Sequence, residues 1–143
     1  MKYSGYKTDH PIFGLMFAET SDPDMLRAIS EALVAPRSSQ STDLLPMLRK
    51  AGGGIRNGLD SAGETYPPRD EVDVLRKTGI PLAILQGSQG QTTRLDYLRS
   101  LPVRNLWREG IREIPDAGHC APWEQHEPYN AMLSEFLSDI VNS

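Results

Sequence analysis

The chain has 143 residues, enough for one domain with a sizeable core. Its 15 Lys+Arg against 19 Asp+Glu leave a formal charge of −4, which argues against a general nucleic-acid binder, since that needs a basic surface to displace phosphate counterions. The single cysteine, Cys120, excludes an intrachain disulfide and a cysteine-rich zinc site. No apolar run approaches the roughly 20 residues that span a bilayer, so neither nucleic acid nor membrane is an expected partner. The first residues lack the apolar stretch of a signal peptide, and the cytoplasm is the expected location.

Residues 1–20 are aromatic and small without a clean period, broken by Gly5, Pro11 and Gly14. Asp22-Pro23 reads as a helix start, with Asp22 as N-cap and Pro23 in the first turn. Met25, Leu26, Ile29 and Leu33 follow at helical spacing, and Pro36 with the polar run 38–42 ends the helix. A second short helix is predicted from Asp43 to Lys50 and is expected to stop at Gly52-Gly53-Gly54. Residues 51–69 are rich in Gly, Pro and Ser; they are the least ordered stretch by pattern, with at most a helical turn from Ile55 to Leu59. Glu71 to Thr78 reads as a helix with Gly79 as its C-terminal stop.

The pattern changes at Pro81. The continuous apolar run Pro81 to Leu85, ending in Gln86-Gly87, suits a strand buried on both faces of a parallel sheet. Leu95 to Leu101 is a predicted helix, Ile111 to Pro115 a shorter strand, and Asp116-Ala117-Gly118 a turn. Glu127-Pro128 opens a last helix whose apolar stripe is Met132, Leu133, Phe136, Leu137 and Ile140. Strand, helix, strand, loop, helix is an α/β arrangement. Two parallel strands make a poor sheet, however, and leave an edge open to another chain, so self-association through that edge is expected.

The segment Gly118-His119-Cys120-Ala121-Pro122-Trp123-Glu124 follows the second strand and precedes the amphipathic last helix. It resembles the histidine loop of the α/β-hydrolase family. Pro81 to Gly87, Leu95 to Leu98 and Leu106-Trp107-Arg108 resemble that family's two final strands and the helix between them, and residues 1–70 more loosely resemble the helical lid before those strands. The resemblance implies a partial α/β-hydrolase fold, with 1–70 as lid, 71–143 as the C-terminal part of the core, and the N-terminal strands absent. It also implies cofactor-free hydrolysis of an ester, amide or C–C bond, with His119 as the catalytic base; imidazole suits that task because it titrates near neutrality. No zinc spacing, P-loop or dinucleotide fingerprint is present.

Two members of the family's triad are missing. Its nucleophile sits in Gly-x-Ser-x-Gly between a strand and a helix. Around Ser88 the glycine directly precedes the serine, and around Ser61 an aspartate stands where glycine is usual. The acid usually follows the strand represented by Pro81 to Gln86, but residues 87–94 contain none, and Gly90 stands at the matching position. Some members take the acid from an earlier strand. Asp96 is read as a helix N-terminal charge, Cys120 as a partly buried, unreactive thiol, and His10 and His126 as ordinary surface histidines. The expected function is therefore a truncated hydrolase, inactive alone, that takes a small-molecule substrate if an N-terminal half completes it. The alternative is a binding module that has lost the chemistry. Phe13, Met16 and Phe17, with Met25, Leu44 and Met47, are candidate walls of a substrate cavity or simply core. Trp123 is expected under the histidine loop as a further substrate-binding candidate, and Glu124 is expected to accept backbone N–H bonds.

Overall fold

The computed structural model describes residues 7–20, 22–65 and 70–142, with the side chains of 56 and 59–65 outside the description. Three helices come first: α1 (Ile12–Met16), α2 (Pro23–Ala32) and α3 (Ser41–Thr65). The α2 start follows its local chemistry. The Asp22 carboxylate accepts from Met25 N–H at 2.8 Å, and Pro23 occupies the first turn, where no N–H is required. The apolar face of α2 buries Ile29 and Ala32 against Ile12 of α1, with Phe13, Met25, Leu33 and Leu48 packed around them.

The expected short helix at 43–50 begins instead at Ser41, and residues 53–65 are helical rather than irregular. The helix from Ser41 does break at Gly52, as the glycine run predicts, but a second helical segment follows at once. Gly52 adopts φ +65°, a left-handed conformation that favours glycine, and helical geometry resumes beyond it. At Gly53 a Cβ would overlap the backbone of Ala18 and Glu19, so the missing side chain lets α3 lie against the end of α1. Asn57 Nδ2 also donates to the Phe17 carbonyl there, at 3.3 Å.

The remainder alternates helix and strand. α4 (Glu71–Lys77) is capped by Asp70 and ends on Thr78, one residue before the expected Gly79. β1 (Leu85–Gly87) and β2 (Arg112–Ile114) pair in parallel, Leu85 opposite Arg112 and Gly87 opposite Ile114. α5 (Leu95–Ser100) crosses between them, with Asp96 in its first turn ion-paired to Arg94. The strand predicted over Pro81 to Leu85 is thus displaced toward Gly87. Its first half runs beside residues 105–107, joined by the Leu82–Leu106 bridge, in which Leu82 N–H donates to the Asn105 carbonyl at 3.0 Å and Trp107 N–H to the Leu82 carbonyl at 2.8 Å. Leu82 to Leu85 are half-buried rather than covered on both faces.

After β2 come a turn, a short helix α6 (Ala121–Glu124) that the sequence pattern did not indicate, and α7 (His126–Val141). Ile114, Ala117 and Ala121 form a second small core with Tyr129 and Met132 of α7. The apolar stripe of α7 is only partly covered: Met132, Phe136 and Ile140 are half-buried, while Leu137 is 53% exposed. Among the described residues no helix is long and apolar enough to cross a membrane.

Candidate functional site

Because β1 and β2 are parallel, the loops that follow them leave the same, carboxyl end of the sheet. Ligands of open α/β sheets bind at that end. Here the C-terminus of α2 docks onto both loops. A helix leaves its last carbonyls without intrahelical partners. The Gln91 side-chain amide donates to the Glu31 and Val34 carbonyls at 2.9 and 3.0 Å, and Cys120 N–H donates to the Leu33 carbonyl at 3.0 Å.

Glu124 completes the junction. Its carboxylate is 8% exposed and accepts from Ala35 N–H at 2.6 Å and from Gly118 N–H at 2.7 Å. One buried carboxylate thus ties the segment after α2 to the loop that carries His119. Gly118 is required by the same contact, since a Cβ there would overlap the backbone of Val34 and Ala35.

A cavity of about 280 Å³ opens between these parts. Its apolar wall consists of Phe13, Met16, Phe17, Ile29, Leu33 and Leu48, and its polar wall of Lys7, Thr92, Thr93 and His119. Three of the sequence candidates, Phe13, Met16 and Phe17, therefore meet His119 in one place. Met25, Leu44 and Met47 are not among its lining residues: Met25 packs in the helical core, Leu44 is buried, and Met47 is 60% exposed on α3. Trp123 does not reach the cavity either. It is half-buried on α6, where it and its neighbour Glu124 point in different directions, and Glu124 takes the inward one.

Lys7, Thr92 and Thr93 were missed by pattern. Lys7 pairs with Thr93 in an antiparallel bridge, and its ammonium lies 5.0 and 5.4 Å from the ring centroids of Phe13 and Phe17. Thr8 N–H and hydroxyl bind the Thr92 and Gln91 carbonyls at 3.3 and 2.7 Å. The N-terminal segment thus closes against the very loop in which an acid was sought, and loop position was the only available signal.

His119 is exposed at the cavity edge, and among the described residues its ring has no hydrogen-bond partner. Gly90 lies in the turn after β1, with the Gln86 amide beside the place a Cβ would take. Ser88 is exposed and outside the cavity lining, and the side chain of Ser61 lies outside the described residues. Cys120 is half-buried. Burial, and then the charge of Glu124, push its thiol above the ordinary cysteine value, so it is a poorer nucleophile at neutral pH than a free cysteine. His10 makes a local bond instead, its ring accepting from Ile12 N–H at 3.2 Å.

No protein-family model and no curated protein sequence matches the chain. Solved structures do. N-acyl homoserine lactonase AidH, complexed with N-butanoyl homoserine, superposes with a TM-score of 0.83 at 18% identity, over 95% of this chain and 49% of that one. 2-Hydroxy-6-oxo-6-phenylhexa-2,4-dienoate hydrolase from Rhodococcus sp. strain RHA1 gives 0.64 at 16%, over 94% and 52%. A protein from Burkholderia cenocepacia, provisionally assigned as an aryl esterase, gives 0.67 at 22%, over 98% and 52%. The chain has a partial α/β-hydrolase fold. It spans about half the length of the hydrolase-fold structures it matches.

Proposed function

We propose that this chain is the lid-and-histidine part of a cofactor-free serine hydrolase, with residues 1–70 as lid and 71–143 as the C-terminal part of the core. The observation that carries the proposal is the position of His119. It stands at the edge of an apolar cavity, on a loop at the carboxyl end of a parallel sheet, in a fold shared with half of each matched hydrolase structure. In the completed enzyme a serine from an N-terminal part attacks the carbonyl of an ester or amide, or a carbonyl beside an activated C–C bond. His119 takes the serine proton and gives it to the leaving group; it then takes a proton from the water that releases the acyl group and returns that proton to the serine. The apolar wall suits an acyl or aryl chain, the kind of group carried by the compounds named for the structural neighbours.

The purified chain is expected to hydrolyse a short-chain aryl ester no faster than its His119→Ala variant. Joined to the N-terminal half of the lactonase, it is expected to gain turnover that His119→Ala removes. Turnover by the isolated chain that depends on His119 would overturn the proposal and place a nucleophile within these residues, with Ser61, Ser88 and Cys120 tested next.

A second reading has its own support. Gly90 stands where the family's acid is expected, and the His119 ring has no partner to orient it among the described residues. A binding module that keeps the cavity and has lost the chemistry fits both. A folded chimera that is inactive with or without His119 would favour it. On either reading the open edges of the two-stranded sheet and the uncovered Leu137 favour self-association; a monodisperse monomer by light scattering would refute that.

A further inference from the structure

Among the described residues that line the cavity, Lys7 is the one with a permanent charge, and none carries a carboxylate. The chain as a whole has a charge of −4, so this lining is opposite in sign to the protein around it. A lysine at an apolar rim ordinarily lays its stem on the surface and turns its ammonium to water. Here Lys7 is half-buried, and its ammonium lies 5.0 and 5.4 Å from the ring centroids of Phe13 and Phe17, both of which belong to the apolar wall. The backbone beneath it is fixed. Lys7 pairs with Thr93, and Thr8 binds the Thr92 and Gln91 carbonyls through its N–H and its hydroxyl. Ring faces attract the cation through their quadrupole but supply no lone pair, so they hold the ammonium in place without competing for it as a carboxylate would.

The space sets the rest of the ligand. About 280 Å³ is nearly twice the roughly 150 Å³ of an apolar cavity that takes up benzene, so a ring with a chain of a few carbons fits. Six apolar side chains surround that part. An anion leaves water only where a cation or hydrogen-bond donors receive it. An ammonium offers both, and its charge acts more strongly beside apolar side chains than in open water. We propose that the cavity takes an organic anion, an aryl- or alkyl-carboxylate whose hydrocarbon part lies on the six apolar side chains and whose carboxylate pairs with the Lys7 ammonium. The assignment rests on the cavity being the substrate cavity. It makes Lys7 a specificity-determining residue, which favours acid-bearing substrates over neutral ones and repels cations by like charge. The carboxylate is a recognition group of the substrate, not the bond that is cut.

Three ligands of one skeleton test this: 4-phenylbutyrate, its neutral amide, and the cation 4-phenylbutylamine. Binding to the full chain is measured by titration calorimetry near neutral pH and needs no turnover. The wild type is expected to bind the butyrate about five- to tenfold more tightly than the amide, and the amine most weakly. Lys7→Met, which keeps the stem and removes the charge, should bring butyrate and amide within about twofold, and Lys7→Arg should keep the preference. In the wild type itself, raising potassium chloride from about 0.05 to about 0.5 M should shrink the preference. Met16→Trp, which narrows the cavity, should weaken all three ligands. Weaker binding in Met16→Trp with the full butyrate preference kept in Lys7→Met overturns the role of Lys7 and leaves the cavity as the binding site. Binding indifferent to Met16→Trp, or no binding at all, removes the cavity as a ligand site and the anchor with it. The hydrolase reading is judged apart from this, by the His119-dependent turnover of the chimera. Turnover without the anion preference would overturn the Lys7 assignment alone, and the anion preference without turnover would overturn the catalytic reading alone.

Discussion

Replacing Glu124 with alanine should cost this protein a large part of its stability, because two buried backbone N–H groups depend on the one carboxylate. Ala35 N–H and Gly118 N–H donate to its two oxygens at 2.6 and 2.7 Å. Hydrogen bonds to a charged group contribute roughly 1.5–3 kcal/mol each. Burying the carboxylate is itself unfavourable, so the net worth of the pair is smaller than the cost of breaking it. Alanine leaves both donors orphaned, and water entering the vacated space recovers part of the loss. The expected destabilisation is about 3 kcal/mol, or a melting temperature lower by about 6–12 °C for a chain of this size. Glutamine offers one carbonyl oxygen and turns an NH₂ donor toward the other N–H, so Glu124→Gln should fall between alanine and wild type. Urea unfolding followed by circular dichroism reads both. A Glu124→Ala variant within about 0.5 kcal/mol of wild type, the range of a neutral surface change, would show that this carboxylate does not hold the junction.

Three more expectations rest on neighbouring contacts. Gly118→Ala should be destabilising by about 3 kcal/mol, since its Cβ would overlap the backbone of Val34 and Ala35; a melting curve like the wild type would refute the close approach. Cys120, its thiol raised by burial and then by Glu124, should react with iodoacetamide at neutral pH more slowly than free cysteine, and at the ordinary rate once unfolded in urea; equal rates in both states would contradict the burial. Asp139 is held below the ordinary aspartate range, first by the Trp107 indole N–H at 2.8 Å and then by Arg108. A carboxylate depressed on folding stabilises above its unfolded pKa, and that stability is lost as pH falls through the folded value. The melting-temperature gap between wild type and Asp139→Asn should therefore be widest near neutrality and narrow as the pH falls below about 4, the value of an unfolded aspartate; a gap that stays constant as the medium is acidified would refute the pairing.

What was legible in the sequence was local. Asp22-Pro23 sets the start of α2 through a side-chain cap and a missing N–H, and both are properties of adjacent residues. The two strands, α5 between them and the turn at Asp116 likewise follow from short-range pattern. Helical residues 53–65 were not legible, because three glycines in a row read as a stop. Only the tertiary approach to Ala18 and Glu19 shows why Gly53 is better there than a side chain. The cavity was half legible for the same reason. Phe13, Met16 and Phe17 stood out as an apolar cluster, and His119 by its setting. Lys7 and Thr92 belong to the site only because residues 7–8 pair with the loop after β1, a contact across more than eighty positions.

Gly90 joins the two kinds of evidence. Its lack of a carboxyl was plain in the sequence, but whether the position tolerates one was not. Near a Cβ at Gly90 lies only the end of the flexible Gln86 side chain at 2.8 Å and the Gly87 carbonyl at 3.4 Å, and its φ is not in the left-handed region. An aspartate there needs the Gln86 amide to swing aside, where it can then donate to the new carboxylate. The fold thus leaves room for an acid at position 90. In the chimera, Gly90→Asp should raise His119-dependent turnover if the loop also brings that carboxylate to the imidazole. Unchanged turnover in a stable Gly90→Asp chimera would mean that the triad acid comes from an earlier strand or that the site has settled into binding alone.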